Sequence, residues 1–364
     1  MSEKFIDRSK RNFGIDLLRL LAMYFVIVLH VLGQGGILNN TTGLTNSFCW
    51  LLEVSAYCDV DCYALITGYV CYRKNEQKYR YSKIITFWTT VFFYSLGITI
   101  LIYFLNPRLV EIKGLIKSML PIVTGEYWYV NAYFGLFFVI PWLNKYLRIL
   151  SRKEFNQLVL VLFTVFSVFA LFSSYFSDVF NLSGGYSFVW LLILYIIGAW
   201  IKKNEINNII SNKRWCLIIF ICIMFTWMWK MFTPLAEDLF LSYISFTILL
   251  VAISLISIFS KLNINRILKR IIYVFSPAAF GVYLIHTQRL VWTCFFKDAF
   301  LFITHFNAIF IIILVLVISF FVFVFCLLIE RIRLYMFKVL KIDKAINIIQ
   351  NKVDLLINNI FEWL

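Results

Sequence analysis

Long apolar stretches separated by short polar loops run through almost the whole chain. Runs of this length, without the alternation of a barrel strand, predict membrane-crossing α-helices. The predicted spans lie at about 14–33, 47–70, 84–105, 127–144, 157–176, 186–201, 215–233, 239–260, 274–296 and 307–329. The hydrophobic pattern therefore predicts an all-α, polytopic bundle of about ten transmembrane helices.

The loops alternate between strongly basic and weakly charged. The tail before the first span is basic, with Lys4, Arg8, Lys10 and Arg11, and basic clusters follow every second span, at 72–83, 145–153, 202–214, 261–270 and 331–333. Because basic residues concentrate in cytoplasmic loops, both termini are predicted to be cytoplasmic. The net charge of +15 is explained by these loops, so no nucleic-acid partner is expected and the lipid bilayer is the predicted partner.

The first span is unusual because it carries three ionisable side chains, Asp16, Arg19 and His30. Arg19 and His30 are eleven residues apart, about three helical turns, so they share a face and lie roughly 16 Å apart along the axis. Asp16 precedes Arg19 by one turn, which predicts an ion pair. Two interpretations are open. In the first, Arg19 anchors the helix at the membrane interface and His30 hydrogen-bonds to a neighbouring helix. In the second, this face of the helix is part of a functional site.

Other spans bring polar side chains to similar depths, at a rise of about 1.5 Å per residue. Near the level of His30 we expect Glu53, Glu126, Trp128, Tyr129 and Asn131, and nearer the middle of the bilayer Asp61, His286 and Arg289. Because hydrocarbon does not solvate charges, these groups predict a polar cavity inside the bundle. Isolated buried ion pairs, such as Asp61 with Arg289, are the alternative.

Two segments outside the spans also have helical character. Pro107 and Pro121 bracket a short interfacial helix in the outside loop 106–126. Residues 338–364 place apolar side chains at helical spacing among lysines, which predicts an amphipathic helix on the cytoplasmic leaflet. The sequence contains no metal-ligand cluster and no nucleotide-binding motif, so neither a metal nor a bound cofactor is expected.

Four stretches, in order along the chain, resemble acyltransferase family 3, a family of bacterial integral-membrane enzymes that acylate surface polysaccharides. These stretches are Asp16-x-x-Arg19 followed after ten residues by His30, VDCYALITGY at 60–69, EYWYVNAYFGLFFVIPWLNK at 126–145 and FGVYLIHTQ at 280–288. Thr67 stands where the family usually has serine, and Lys83 stands in the basic stretch where it often has paired arginines. The four stretches are spread over most of the chain, from Asp16 to Gln288.

The resemblance implies an O-acetyltransferase of the bacterial plasma membrane. It implies a single transmembrane acyltransferase domain at 1–337, acetyl-CoA as the cytoplasmic donor substrate and a cell-surface or lipid-linked polysaccharide as the acceptor. Roles then follow for the predicted residues: donor binding by Asp16, Arg19, Arg80 and Lys83; catalysis by His30 with Glu53 or Glu126; acceptor binding by Trp128, Tyr129 and Asn131; and support by Asp61, His286 and Arg289. His30 is interpreted as either a general base or a transient acetyl carrier.

A transporter or flippase of a glycan or small solute is the competing hypothesis. Proton-coupled carriers also use buried aspartate, arginine and histidine side chains. Many carriers, however, are built from repeated halves with paired, Gly- or Pro-broken helices, and this sequence shows neither feature. The enzyme hypothesis is therefore preferred.

Overall fold

The chain folds as a helical bundle. The computed structural model describes residues 11–75, 79–234 and 236–363, with side chains up to residue 360, and every regular element in this part is a helix. The α-helices are α1 Phe13–Leu32, α2 Gly43–Ala56, α3 Asp59–Cys71, α4 Lys83–Leu105, α5 Ile112–Met119, α6 Trp128–Ile149, α7 Arg152–Phe163, α8 Ala170–Ser174, α9 Phe188–Lys203, α10 Asn212–Phe232, α11 Phe246–Phe259, α12 Arg266–Phe275, α13 Ala279–His286, α14 Arg289–Val291, α15 Ala308–Val339 and α16 Ile342–Trp363. The all-α prediction is confirmed, and the basic tail with Lys4, Arg8 and Lys10 lies outside the described residues.

Six helical segments in the described part are long and apolar enough to cross a membrane. They are Phe13–Leu32, Lys83–Leu105, Arg152–Ser174, Asn212–Phe232, Arg266–His286 and Ala308–Val339. The protein is therefore a multi-pass membrane protein. The other predicted spans coincide with α2 and α3, α6, α9 and α11, which are shorter, interrupted or less apolar.

The predicted span at 47–70 is two helices rather than one. α2 ends at Ala56 and α3 begins at Asp59. Asp59 supports this restart because its Oδ1 accepts a hydrogen bond of 2.6 Å from the amide of Val60, and a carboxylate at a helix N-terminus also offsets the helix dipole. Tyr57, in the break, donates its hydroxyl hydrogen to the carbonyl of Leu241 over 3.0 Å. Tyr57 in the break and Val60 after it line a cavity together with Glu53.

The predicted span at 274–296 is also interrupted. The helical segment begins earlier, at Arg266, and α13 ends at His286. Gln288 then caps the next helix, because its Oε1 accepts hydrogen bonds from the amides of Leu290 at 2.7 Å and Val291 at 3.2 Å. This turn leaves His286 as the last residue of α13 and Arg289 as the first of α14.

α1 runs through the interior of the bundle and packs against α3, α11, α13 and α15. Most of its side chains are buried, so its polar groups face other helices rather than lipid. α3 and α9 pack closely against each other. A Cβ at Gly68 would collide with the backbone of Tyr195, and one at Gly198 would collide with the backbone of Leu65. Small residues at such crossings allow the close backbone approach that stabilises membrane helix pairs.

The end of the chain forms a helix, as the 338–364 pattern predicts. α16 follows α15 after a turn in which Lys341 has a positive φ of 60°. It contacts the start of α4 through a 2.7 Å hydrogen bond from Gln350 to Thr86 and a 2.8 Å ion pair between Arg80 and Asp354. Burial acts to raise the pKa of Asp354, but hydrogen bonds from Arg80 and Ser82 together with the charge of Arg80 outweigh it and lower that pKa.

Candidate active site

A cavity of about 620 Å³ opens among α1, α2, α3, α5, α13, α14 and the segment leading into α6. Six of the predicted site residues line it: His30, Glu53, Glu126, Trp128, Tyr129 and Arg289. These residues come from four separate parts of the chain. The predicted polar cavity is therefore present, and it contains the histidine of the first helix.

His30 forms a pair with His286. The Nδ1 atom of His30 lies 3.0 Å from Nε2 of His286, and Nδ1 of His286 lies 2.6 Å from the carbonyl oxygen of Val282. His286 is 1% exposed and lies behind the cavity wall, whereas His30 lines the cavity. The two helices α1 and α13 thus place one imidazole directly behind the other.

The partners of these nitrogens fix the positions of the protons. A carbonyl oxygen can only accept, so Nδ1 of His286 carries hydrogen and the Nε2 atom of the neutral ring is an acceptor. Nδ1 of His30 must then donate to that acceptor. The Nε2 atom of His30 is left with a lone pair and no hydrogen-bond partner among the described residues. A base with this geometry can take a proton from a group in the cavity.

Trp292 holds the other side of the His30 ring. The two ring centroids are 4.5 Å apart with an interplanar angle of 85°, an edge-to-face contact. Trp292 begins a π-helical turn, Trp292–Phe296, that continues α14. Sequence reasoning missed this residue, because a neutral tryptophan near the end of an apolar span does not differ in pattern from one at the lipid interface.

The two carboxylates predicted to orient His30 do not contact it. Glu126 accepts a 2.6 Å hydrogen bond from Ser95 and lies 3.5 Å from Nε2 of Gln288. Glu53 is 7% exposed, and its Oε2 atom has no partner in the described part of the structure. The prediction that Glu53 or Glu126 orients the imidazole is therefore corrected, since Nδ1 of His30 is already bonded to His286. Both carboxylates remain in the cavity wall.

Aromatic rings form another part of the wall. The ring of Trp128 lies 4.6 Å from that of Tyr186, and Tyr186 lies 5.1 Å from Tyr243, which also contacts Tyr57. All four line the cavity, as does Tyr129. Flat rings of this kind offer stacking surfaces to a sugar. Tyr57, Tyr186 and Tyr243 were not predicted, because a tyrosine does not by itself indicate a buried site in a sequence that contains so many aromatic residues.

Two predicted residues lie outside the cavity in supporting positions. Asn131 donates a 3.0 Å hydrogen bond to the carbonyl of Ile122 and so holds the turn before α6. Asp61 is fully buried and accepts a 3.0 Å hydrogen bond from the indole of Trp190. Asp61 and Arg289 form no ion pair, so the pairing of these two residues is not observed.

The Arg19 end of α1 is a separate charged cluster. Arg19 pairs with Asp16 over 3.1 Å, as the spacing predicts, and Asp16 also accepts from Arg11 and from the hydroxyl of Ser276. Arg19 does not line the cavity, but Met23, one turn further along α1, does. The cluster therefore lies beside the end of the cavity that Met23 lines.

The other predicted donor-binding residues are further away. Arg80 is bound to Asp354 and also donates to the side chain of Asn351 at 3.1 Å, so α16 occupies its guanidinium. Lys83 is the first residue of α4 and does not line the cavity. Within the described residues no cluster of histidine, cysteine, aspartate or glutamate has the arrangement of a metal site.

These features define a multi-pass helical membrane protein with an interior cavity lined by a histidine. A family model described as an acyltransferase domain matches residues 12–330, which include every residue of the cavity. The chain belongs to acyltransferase family 3, so the family resemblance is confirmed and the protein is a membrane acyltransferase. No curated protein and no solved structure matches it.

Proposed function

We propose that this acyltransferase moves an acetyl group from cytoplasmic acetyl-CoA to a hydroxyl group of a cell-surface or lipid-linked polysaccharide. The observation that supports the proposal most is the chain of hydrogen bonds from His30 through His286 to Val282, because it leaves a basic nitrogen in the cavity wall. A hydroxyl group needs such a base before it attacks a thioester. The aromatic wall around Trp128 and Tyr186 suits a sugar ring.

The transfer needs one proton to move out and back. The hydroxyl oxygen attacks the thioester carbonyl carbon while Nε2 of His30 takes the hydroxyl proton. The carbon–sulfur bond then breaks, and the coenzyme A thiolate takes the proton from His30 and leaves as a thiol. If His30 instead carries the acetyl group, the same Nε2 lone pair forms the bond to carbon, so both routes require this nitrogen.

The donor is proposed to enter at the Arg19 end. We infer a topology of ten crossings with both termini in the cytoplasm of a bacterial cell, supported by the alternation of basic loops. In that topology Arg19 lies on the cytoplasmic side of His30, where a guanidinium can hold the anionic part of acetyl-CoA. α16 would then lie on the cytoplasmic leaflet and hold Arg80 through Asp354.

Acetylation of the cell's glycans, measured at matched expression of each variant, tests the proposal. His30→Ala should lower the rate at least about a hundredfold, the lower range for loss of a general base. His30→Gln should be comparably inactive, because an amide hydrogen-bonds but takes no proton. Wild-type acetylation by His30→Gln would contradict the mechanism. Solute or glycan transport by the purified protein, without transfer of radiolabelled acetyl groups, would favour the transporter hypothesis.

A further inference from the structure

Arg289 lines the cavity without a counter-ion. No carboxylate in the described part of the chain lies within ion-pair distance of its guanidinium, and its Nε atom is buried without a hydrogen-bond partner. The cavity does contain Glu53 and Glu126, but Glu126 is bonded to Ser95 and neither pairs with Arg289. The positive charge therefore remains uncompensated by the protein.

An unpaired arginine differs physically from an unpaired carboxylate in the same cavity. A buried carboxylate can become neutral by binding a proton, so Glu53 needs no ligand to be tolerated. A guanidinium cannot lose its proton in a protein and keeps its charge at any working pH. Inside a membrane protein this charge must be balanced by water or by an anion. Arg289 is therefore the group in the cavity that most strongly favours an anionic ligand.

The short helix α5 brings a second cation to the same side of the cavity. A Cβ at Gly114 would collide with the terminal nitrogen of Arg289, so the glycine leaves the space in which the guanidinium lies against α5. Lys117 is three residues further along the helix and shares the face of Gly114. Lys117 also lines the cavity and has no acidic partner within ion-pair distance in the described residues.

We propose that Arg289 and Lys117 form an anion-binding subsite for the acceptor, which takes a phosphate or a carboxylate group of the glycan. The inference rests on the proposed function, because it assigns the anion to the acceptor rather than to acetyl-CoA. α5 lies in the 106–126 loop, which the basic-loop alternation assigns to the outside. The donor is instead assigned to Arg19, roughly 16 Å from His30 along α1 towards the cytoplasm.

Binding to the purified full-length protein in a neutral detergent tests the subsite. The probes are a glycerol phosphate oligomer, a hyaluronan tetrasaccharide that carries carboxylates, and the neutral chitotetraose. At least one anionic probe should bind about tenfold or more tightly than chitotetraose, and salt should weaken that binding. The anionic probe that binds more tightly distinguishes a phosphate from a carboxylate.

Variants connect the binding to the two cations. Arg289→Gln and Lys117→Gln should each weaken the preferred anionic probe about tenfold and leave chitotetraose binding unchanged. Arg289→Lys should retain only part of the affinity, because an ammonium lacks the guanidinium fork. Lys113→Gln is the matched control, since Lys113 lies on the same helix but does not line the cavity. Retained acetyl-CoA binding reports folding. Lys117→Glu, which changes an exposed residue at the edge of the cavity, supplies the test if Arg289→Gln does not fold.

Three results would overturn the subsite. These are a wild-type protein with no preference for an anionic probe, an equal loss in Lys113→Gln, and a loss of acetyl-CoA binding in place of glycan binding in Arg289→Gln. The binding measurement needs no turnover. A protein that binds the anion selectively but transfers no acetyl group would refute the proposed function alone, and an active enzyme without anion preference would refute the subsite alone.

Discussion

At the scale of single residues, the mechanism depends on which nitrogen of His30 is free. His286 decides this, because its Nε2 can only accept and so keeps the hydrogen of His30 on Nδ1. A free imidazole would distribute its proton between both nitrogens and rotate. His286 and Trp292 together restrain both motions, so in the proposed mechanism His286 positions His30 and does not itself react.

The positioning role predicts different effects for two substitutions of His286. His286→Leu should lower kcat about tenfold with little change in KM, since it removes one hydrogen bond and the tautomer that the bond selects. His286→Gln should retain more activity because its amide oxygen can accept from His30. His305→Leu, an exposed histidine in a loop, is the control. Steady-state kinetics of all three check this, and equal losses in the Leu and Gln variants would refute tautomer selection.

Arg19 carries a separate residue-scale prediction. Arg19→Ala should raise the KM for acetyl-CoA or abolish turnover while the protein stays folded in detergent, because the donor then loses its cationic contact. Arg19→Lys should rescue poorly, since one point charge does not reproduce the guanidinium fork. Donor titrations of the purified variants measure both effects. Full activity of Arg19→Ala would leave Arg19 as the partner of Asp16 and an interfacial anchor only.

At the scale of helices, the crossing of α3 and α9 should be sensitive to added volume. Gly198→Ala places a methyl group against the backbone of Leu65 and should cost about 1–3 kcal/mol of stability. Gly97→Ala is the matched control, because nothing lies within 4 Å of a Cβ there and alanine favours a helix. Thermal unfolding in detergent compares the two. Similar melting temperatures would mean that the crossing relaxes to accept the methyl group.

The sequence predicts the helices better than their interruptions. Apolar length locates the helical segments, six of which are long and apolar enough to cross a membrane, because lipid imposes this constraint directly. The breaks at 57–58 and 287–288 were missed because their residues are apolar or neutral, and Pro and Gly are absent from both. Tertiary contacts stabilise the two breaks. Tyr57 hydrogen-bonds to Leu241, and the Gln288 side chain caps α14 and donates a 3.1 Å hydrogen bond to Thr99. These long-range contacts leave no local pattern.

At the scale of the whole molecule, the structure brings together some but not all of the predicted site residues. The depth of charged and histidine residues in the membrane could be predicted from their positions along the spans. Four of these residues line one cavity: His30, Glu53, Glu126 and Arg289. Depth does not give rotation about a helix axis. Consequently Asp61 faces Trp190 rather than the cavity. The partners that decide the chemistry, including His286 behind His30, required the packing of α13 against α1.

The orientation of the chain in the membrane can be tested directly. The donor and acceptor assignments both require that Arg19 lies towards the cytoplasm and that α5 lies outside. In a background without the native cysteines, single cysteines at Asn40 and Glu237 should react with a membrane-impermeant thiol reagent in intact cells. Cysteines at Asn208 and at Lys344 on α16 should react only after permeabilisation. All four positions are exposed, so the reagent's access depends on the side of the membrane rather than on burial. Labelling of Asn208 in intact cells would reverse the orientation, and the Arg19 cluster would then face the acceptor rather than acetyl-CoA.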